Sequence, residues 1–284
     1  MSAREPQEMA EVAVKTGMKK TRRTWDRVLV SSFLAGAYIG FGALVAITVS
    51  SGLDPATWGT LPTLFTGAAF TLGLVLVLIA GSDLATGNMM LVPLSAMRGK
   101  ISFGDVVRNL TLVLLGNLLG ALVVAFFFAV QTGVIGPVGA EAGSSAALTH
   151  DRLAQIALDK ATAHTAWQTF LRAVGCNWLV CLAVWMSLAA TSVSGKILAI
   201  FFPIMAFVAM GFDHVVANMF FLPAAIFAGV PDLGWDDVLG NWLIAGVGNL
   251  VGAVIFVATS YWYLFLKDHD EEPERAGSEA AERA

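Results

Sequence analysis

The chain has 284 residues, of which 57% are hydrophobic and only 13% are charged. Soluble domains carry about 25% charged residues, so this composition excludes an ordinary water-soluble domain and indicates an integral membrane protein. The net charge of −4 reflects acidic residues clustered in the C-terminal tail, and no basic face suited to nucleic acid is evident.

Residues 1–27 form a polar and then basic segment ahead of the first apolar stretch. Within it, the stretch from Glu5 to Lys20 is compatible with a short helix on the membrane surface or with a disordered tail. Positive charge beside a first span stays in the cytoplasm, so this segment is predicted to be a cytoplasmic N-terminal region.

Six apolar stretches follow, and each is long enough to cross a bilayer at about 1.5 Å per residue. The distribution of Lys and Arg among the connections predicts two cytoplasmic termini in the cell inner (plasma) membrane, and residues 131–164 are predicted to be an external loop. The transmembrane domain is expected to cover residues 28–266, followed by a cytoplasmic tail over residues 267–284. The predicted spans are Val28–Ser50, Leu61–Ala96, Val106–Phe128, Trp167–Ala190, Ile197–Gly229 and Val238–Leu266.

The second and fifth stretches are interrupted by polar segments with a shared pattern. Gly81–Met89 and Gly211–Met219 both read Gly-x-Asp-x-x-x-x-Asn-Met, 130 residues apart. A second match, between Gly116–Ala121 and Gly248–Ala253, has an offset of 132 residues, and its Gly-x-x-x-Gly spacing predicts close helix packing. Each half then holds three spans, and an odd number places the second half upside down in the membrane. The sequence therefore predicts an all-α membrane protein with six transmembrane helices in an inverted 3+3 repeat with two broken helices.

His214 is the main candidate functional residue, because it lies in the interruption of the fifth stretch and no other histidine lies within a predicted span. An ionisable group at membrane depth costs about 3 kcal/mol or more, so it usually faces a partner or a water-filled path. An imidazole can donate a hydrogen bond or a proton to a small anion. Thr86 supplies a hydroxyl group on the opposing interruption, where it either faces the same path or caps the local backbone.

Four further polar residues belong to the repeated pattern and are expected to structure the interruptions. Asp83 and Asp213 are predicted to cap half-helices beside each break rather than to act as charges. Asn88 and Asn218 are predicted to bridge the broken backbone. Free N–H groups at the half-helix N-termini would attract an anion.

These interruptions, together with the segment Cys176–Met186 in the fourth stretch, resemble the formate/nitrite transporter family over about residues 24–266. The resemblance implies an aquaporin-like six-span protomer that assembles into a homopentamer with one pore in each protomer. It also implies transport of small monovalent anions, namely formate, nitrite or hydrosulfide, with protons as a second partner.

The resemblance carries roles to individual positions. His214 matches the family's central pore histidine, Thr86 the loop threonine facing it, Asn177 an asparagine near the pore, and Lys160 a basic residue that draws anions to the outer mouth. Ala85 departs from the aromatic residue that the family often has there, which implies a wider or differently gated constriction. The residues that match the family's constrictions are Phe70, Phe207, Leu74, Leu84 and Val180.

Two alternatives remain open on the sequence. An aquaporin-type channel for neutral solutes shares paired asparagine-bearing loops, but Asn88 and Asn218 are followed by methionine and no arginine lies near either loop in the sequence. A membrane enzyme would need a metal motif such as His-Glu-x-x-His or a nucleophile beside a base, and neither is found. Cys176 and Cys181 are predicted to be buried packing thiols, so no metal, cofactor or catalytic residue is expected.

Overall fold

Residues 3–267 are described by the computed structural model, and this range is helical and loop-connected without strands. The tail predicted from residue 268 onward lies outside the described residues. The helices are α1 Pro6–Thr21, α2 Trp25–Ser50, α3 Pro55–Trp58, α4 Leu61–Ala80, α5 Ala85–Met97, α6 Phe103–Val123, α7 Ser145–Ala161, α8 Ala166–Ala189, α9 Val193–Ala209, α10 Val215–Phe227, α11 Trp235–Ala253 and α12 Ser260–Phe265. Helix α6 continues as a π-helical segment over Val124–Gln131, and α11 continues as one over Val254–Thr259.

Five helical segments of the described range are long and apolar enough to cross a membrane: α2, α4, α6 with its π-helical continuation, α8, and α11 through α12. The fifth predicted span is divided between the shorter apolar helices α9 and α10. The second predicted span is likewise divided between α4 and α5. The six-span prediction with two broken helices is therefore confirmed.

Both breaks are made by a glycine in the left-handed region of backbone space. Gly81 follows α4 with a φ of 83°, and Gly211 lies in the break after α9 with a φ of 70°. A side chain would be strained in this conformation, whereas glycine adopts it freely. Gly87, the other glycine of the first repeated segment, lies within the first turn of α5 instead.

The connection predicted to be an external loop contains helix α7, and the N-terminal segment contains helix α1. Helix α1 packs against α5, and α7 packs against α10, so each helix covers the second half of a broken span. Leu153 and Ala157 of α7 are buried in the main core. The repeated unit is thus one covering helix followed by three spans. Sequence hydropathy missed α7 because only one side of this helix is apolar.

Close packing of α11 on α8 depends on a glycine of the repeated motif. A Cβ atom at Gly248 would lie 2.6 Å from the Ala173 Cβ atom and 2.6 Å from the Phe170 carbonyl oxygen. Overpacking of this kind costs about 1–3 kcal/mol, so we expect Gly248→Ala to lower the thermal unfolding temperature in detergent. At Gly240 of the same helix an added Cβ atom would have no neighbouring atom within 4 Å, and Gly240→Ala should not lower that temperature. Equal effects of the two substitutions would contradict this packing role.

Candidate functional site

The two breaks bring His214 and Thr86 together in the centre of the protomer. His214 Nε2 lies 2.9 Å from Thr86 Oγ1, and both side chains are almost completely buried, with 2% and 0% exposure. His214 is the N-cap residue of α10, and Thr86 lies in the first turn of α5. The contact joins residues 128 positions apart, one from each half of the repeat.

The hydrogen bonds around His214 define which ring nitrogen carries the proton. The backbone N–H of Ala217 donates to His214 Nδ1 at 3.0 Å, so Nδ1 is an acceptor and carries no hydrogen. In the neutral imidazole the single N–H is then at Nε2, which points at the Thr86 hydroxyl group. His214 therefore presents a hydrogen-bond donor to the centre of the protein. Adding a second proton at Nδ1 would break the helix cap.

Two asparagines of the repeated Gly-Asn motif satisfy the backbone hydrogen-bonding groups at the breaks. Asn117 Oδ1 accepts from the first N–H of α5, at Ala85, and its Nδ2 donates to the carbonyl oxygens of Ser32 and Asp83. Asn249 makes the equivalent bonds at the other break, with the N–H of Val215 and with the carbonyl oxygens of Ala173 and Asp213. These backbone groups would otherwise be unsatisfied at membrane depth. The first N–H of each half-helix is consequently occupied and not available to an anion.

The prediction that Asn88 and Asn218 bridge the broken backbone is wrong. Asn88 Nδ2 donates to Asn109 Oδ1 at 2.9 Å, and Asn218 Nδ2 donates to Asn241 Oδ1 at 2.8 Å. Asn109 Nδ2 donates in turn to the backbone carbonyl oxygen of Lys20 in the last turn of α1. Asn241 Nδ2 donates to that of Lys160 in the last turn of α7. The backbone of each break is instead bound from a neighbouring helix, by Asn117 of α6 and Asn249 of α11. Asn218 Nδ2 does reach its own break, but there it donates to a side chain, Asp213 Oδ1, at 3.0 Å.

Asp213 is an ion-pair partner and not a helix cap. Its carboxylate lies 3.4 Å from Lys160 Nζ and 3.2 Å from Arg172 Nε, and it has no exposed surface. Arg172 Nη2 also donates to the Gly211 carbonyl oxygen. The α10 cap is His214 itself, so the capping prediction fails because the ring nitrogen already occupies that position.

Asp83 repeats the arrangement at the other break. Its carboxylate pairs with Lys20 Nζ at 2.5 Å and with Arg23 Nη1 at 2.6 Å, and α5 has no side-chain cap. Capping by Asp83 is therefore also wrong. Arg23 and Arg172 show that arginines do lie near both loops, although they are distant in the sequence, which corrects the expectation of none.

Asn177 and Cys181 bond to the backbone of the loop that carries Thr86. Asn177 Nδ2 donates to the carbonyl oxygens of Asn249 and Thr86, at 2.8 and 3.3 Å, so it fixes the loop that carries Thr86. Cys176 and Cys181 are free and buried, as expected. The Cys181 thiol donates to the Thr86 carbonyl oxygen at 3.6 Å. Within residues 3–267, no group of three potential metal-ligating side chains is present.

A cavity of about 380 Å³, called the vestibule here, runs from the exposed residues Thr63 and Gln155 beside α7 to His214. Phe70 and Phe207 line it in an edge-to-face arrangement with 6.0 Å between ring centroids. Phe207 also lies 5.9 Å from the His214 ring. The two phenylalanines thus lie in front of the histidine, and their role as a constriction stays a prediction. Phe221, which sequence reasoning missed, lines the same cavity.

Leu74, Leu84 and Val180 are buried in the main core and do not line the vestibule. A role in an apolar constriction stays a prediction for these three residues. Ala85 is fully buried.

The polar wall of the vestibule is cationic. Lys160, Arg172 and Arg152 all line it, whereas Asp159 contributes a carboxylate 3.2 Å from Arg172 Nη2. Burial lowers the pKa of the Arg152 guanidinium below its usual value, but an arginine in a protein stays protonated. Lys160 is thus in the expected cavity, with its Nζ turned inward to Asp213 rather than free to meet an anion.

Several of the missed residues carried a signal in the sequence. Asn109 and Asn241 are separated by the same 132 residues as the two Gly-Asn motifs, so the repeat offset alone would have found them. Arg152 and Arg172 have no such signal, because most of their partners are distant in the sequence.

The fold and the site together define a multi-pass membrane protein of the channel and transporter class, with a central polar pair reached by a cationic cavity in the protomer. A family model for formate/nitrite transporters matches residues 7–263. The chain is 44% identical over 273 residues to a probable formate transporter of Methanothermobacter thermautotrophicus, covering 94% of this chain and 99% of that protein. It is 37% identical over 245 residues to the nitrite transporter NirC of Salmonella typhimurium, covering 86% and 85%.

A solved structure described as a pentameric formate channel with formate bound matches with a TM-score of 0.72 and 31% sequence identity, covering 86% of this chain and 98% of that one. The chain belongs to the formate/nitrite transporter family. The family and the fold class expected from the sequence are confirmed.

Proposed function

We propose that this protein carries small monovalent anions, formate or nitrite, through a path in each protomer. The observation that carries the proposal is the buried pair of His214 Nε2 and Thr86 Oγ1 at 2.9 Å, at the inner end of a vestibule with cations on its wall. The relatives named for formate and nitrite transport support it.

The path combines attraction with neutralisation. Cations of the vestibule concentrate the anion, and the Phe70–Phe207 pair separates it from the bulk water. Beyond the rings, the Nε2–H group of His214 and the hydroxyl group of Thr86 offer hydrogen bonds. Passing a bare anion through an apolar passage is costly, so the anion takes up a proton from the vestibule water and crosses the passage as the neutral weak acid. Asn177, Asn117 and Asn249 hold the backbone of the two breaks around this point.

The remaining expectations follow from the same arrangement. The vestibule side, with α7, faces the cell exterior, and both termini face the cytoplasm, as the charge distribution favours. The protein resides in the inner membrane and forms a homopentamer, which the pentameric structural relative supports. Hydrosulfide is a further candidate substrate.

The test is flux in proteoliposomes, with formate compared against nitrite while the external pH is stepped. Flux above that of protein-free liposomes should rise as the external pH falls, because a larger fraction of the weak acid is protonated. Absence of protein-dependent flux for both anions would overturn the transport proposal, and flux that ignores pH would overturn proton uptake. Swelling in glycerol should stay at the level of empty liposomes, whereas rapid swelling would favour the aquaporin-type alternative.

A further inference from the structure

We propose that Arg152 forms an anion-capture site at the vestibule mouth that favours anions with two oxygen atoms, such as carboxylates and nitrite. The inference rests on the proposed transport function and names the residue that selects the substrate class. Arg152 lies on α7 and lines the vestibule together with Thr66 and Gln155.

Arg152 is the uncompensated cation of the vestibule. The other two cations of the wall, Lys160 and Arg172, share the buried carboxylate of Asp213, and Arg172 also pairs with Asp159. Arg152 has only neutral partners among the part of the chain that the structure describes. The net positive charge available to an entering anion is therefore concentrated at Arg152 and not at Lys160.

The hydrogen bonds of Arg152 leave a matched pair of donors. Its Nε donates to Ser50 Oγ at 2.9 Å, Nη1 to Gln155 Oε1 at 2.5 Å, and Nη2 to Thr66 Oγ1 at 2.9 Å. A guanidinium group has five N–H donors, so one N–H remains on each terminal nitrogen. Two donors on the terminal nitrogens of one guanidinium group suit the two oxygens of a carboxylate or nitrite. On an anion with one acceptor atom, such as hydrosulfide, both donors must converge on that atom, so the geometry of the two hydrogen bonds is poorer.

The internal repeat shows that Arg152 is not part of the duplicated scaffold. Lys160 of this half corresponds to Lys20 of the other half. The ammonium group of each pairs with the aspartate of a break, and the backbone carbonyl oxygen of each accepts from an asparagine. Lys160 and Lys20 are 140 positions apart, and within the covering helices this offset places Val12 of α1 opposite Arg152 of α7. The first half of the repeat therefore forms its ion pairs without a cation at this position. The guanidinium group of Arg152 thus has a role that is specific to the vestibule side.

The test compares Arg152→Lys and Arg152→Gln with the wild-type protein in right-side-out proteoliposomes, using formate and hydrosulfide as external substrates. Charge-assisted hydrogen bonds contribute enough that the half-saturating formate concentration should rise about tenfold in both variants. The value for hydrosulfide should rise only in Arg152→Gln, because lysine keeps the charge and lacks the fork. Lys100→Gln, which removes an exposed positive charge outside the vestibule, should change neither value.

Three outcomes would overturn the capture site. Unchanged half-saturation for formate in both variants would remove any role in binding. Equal losses for the two substrates in Arg152→Lys would mean that the fork does not select. A lower maximal flux and a lower unfolding temperature with an unchanged half-saturating concentration would mean that Arg152 only connects α7 to α2 and α4 by hydrogen bonds. If the wild-type protein itself carries no anion, the transport proposal fails instead.

Discussion

His214→Phe is expected to remove most of the protein-dependent formate flux at every external pH. The substitution removes the Nε2–H donor that faces Thr86 and leaves an aromatic ring beside Phe207. An anion at this point would then lose its hydrogen-bond donor in an apolar passage. An unmade hydrogen bond to a charged group costs about 1.5–3 kcal/mol or more, which corresponds to a loss of roughly 10- to 100-fold. Formate uptake by proteoliposomes at stepped external pH measures the effect.

A second substitution separates the donor from the helix cap. His214→Phe also removes the Nδ1 acceptor of the Ala217 N–H group, and this could lower stability by itself. Asparagine is a good N-cap residue, so His214→Asn should keep the cap while its shorter side chain withdraws from Thr86. We expect this variant to retain the wild-type unfolding temperature and to lose flux. Normal flux in His214→Phe at every pH would show that the histidine has no part in permeation.

The broken spans could be predicted from the sequence because their signal is local. Each break combines a glycine with polar residues inside an apolar run, and the pattern occurs twice. The pairing of His214 with Thr86 follows only when the two breaks are placed opposite each other, which the inverted repeat supplies. Local capping by Thr86, the alternative interpretation, is not what the contact at 2.9 Å shows.

The ion pairs could not be predicted, because they join distant parts of the chain. Lys20 and Asp83 are 63 positions apart, and Lys160 and Asp213 are 53 positions apart. An aspartate beside a break has two physically sensible fates, as a cap or as an ion-pair partner. The choice depends on cations delivered by the covering helices, and the hydropathy pattern predicts only a loop where α7 lies.

The repeat contains more information than its use as a packing motif suggests. The Gly-x-x-x-Gly spacing predicts close packing, and the glycines do pack closely. The asparagines beside them also bond to the backbone of the breaks, Asn117 at the first break and Asn249 at the second. A residue that keeps its place in both halves of a duplicated fold can therefore serve the site as well as the packing of its helix.

Asp213→Asn is expected to cause a large loss of stability. Asp213 is fully buried and is shared by Lys160 and Arg172. Removing one partner of a buried pair costs about 3–5 kcal/mol because the remaining charge stays buried without compensation. For a protein of this size the unfolding temperature should fall by roughly 10 °C. Thermal unfolding in detergent, followed by circular dichroism, measures the shift, and formate flux should fall with it since His214 is the next residue.

Asp159→Asn provides the matched control. Asp159 pairs with the same Arg172 at 3.2 Å, but its side chain is 51% exposed. Exposed ion pairs contribute about 0–1 kcal/mol, so this variant should unfold within a few degrees of the wild-type protein. Asp83→Asn, the counterpart of Asp213 at the other break, should behave like Asp213→Asn, because its carboxylate is 1% exposed and bound by two cations. Equal shifts of the unfolding temperature in Asp213→Asn and Asp159→Asn would mean that burial does not strengthen the Asp213 ion pair. The matching ion pairs at the two breaks would then not be what stabilises each break.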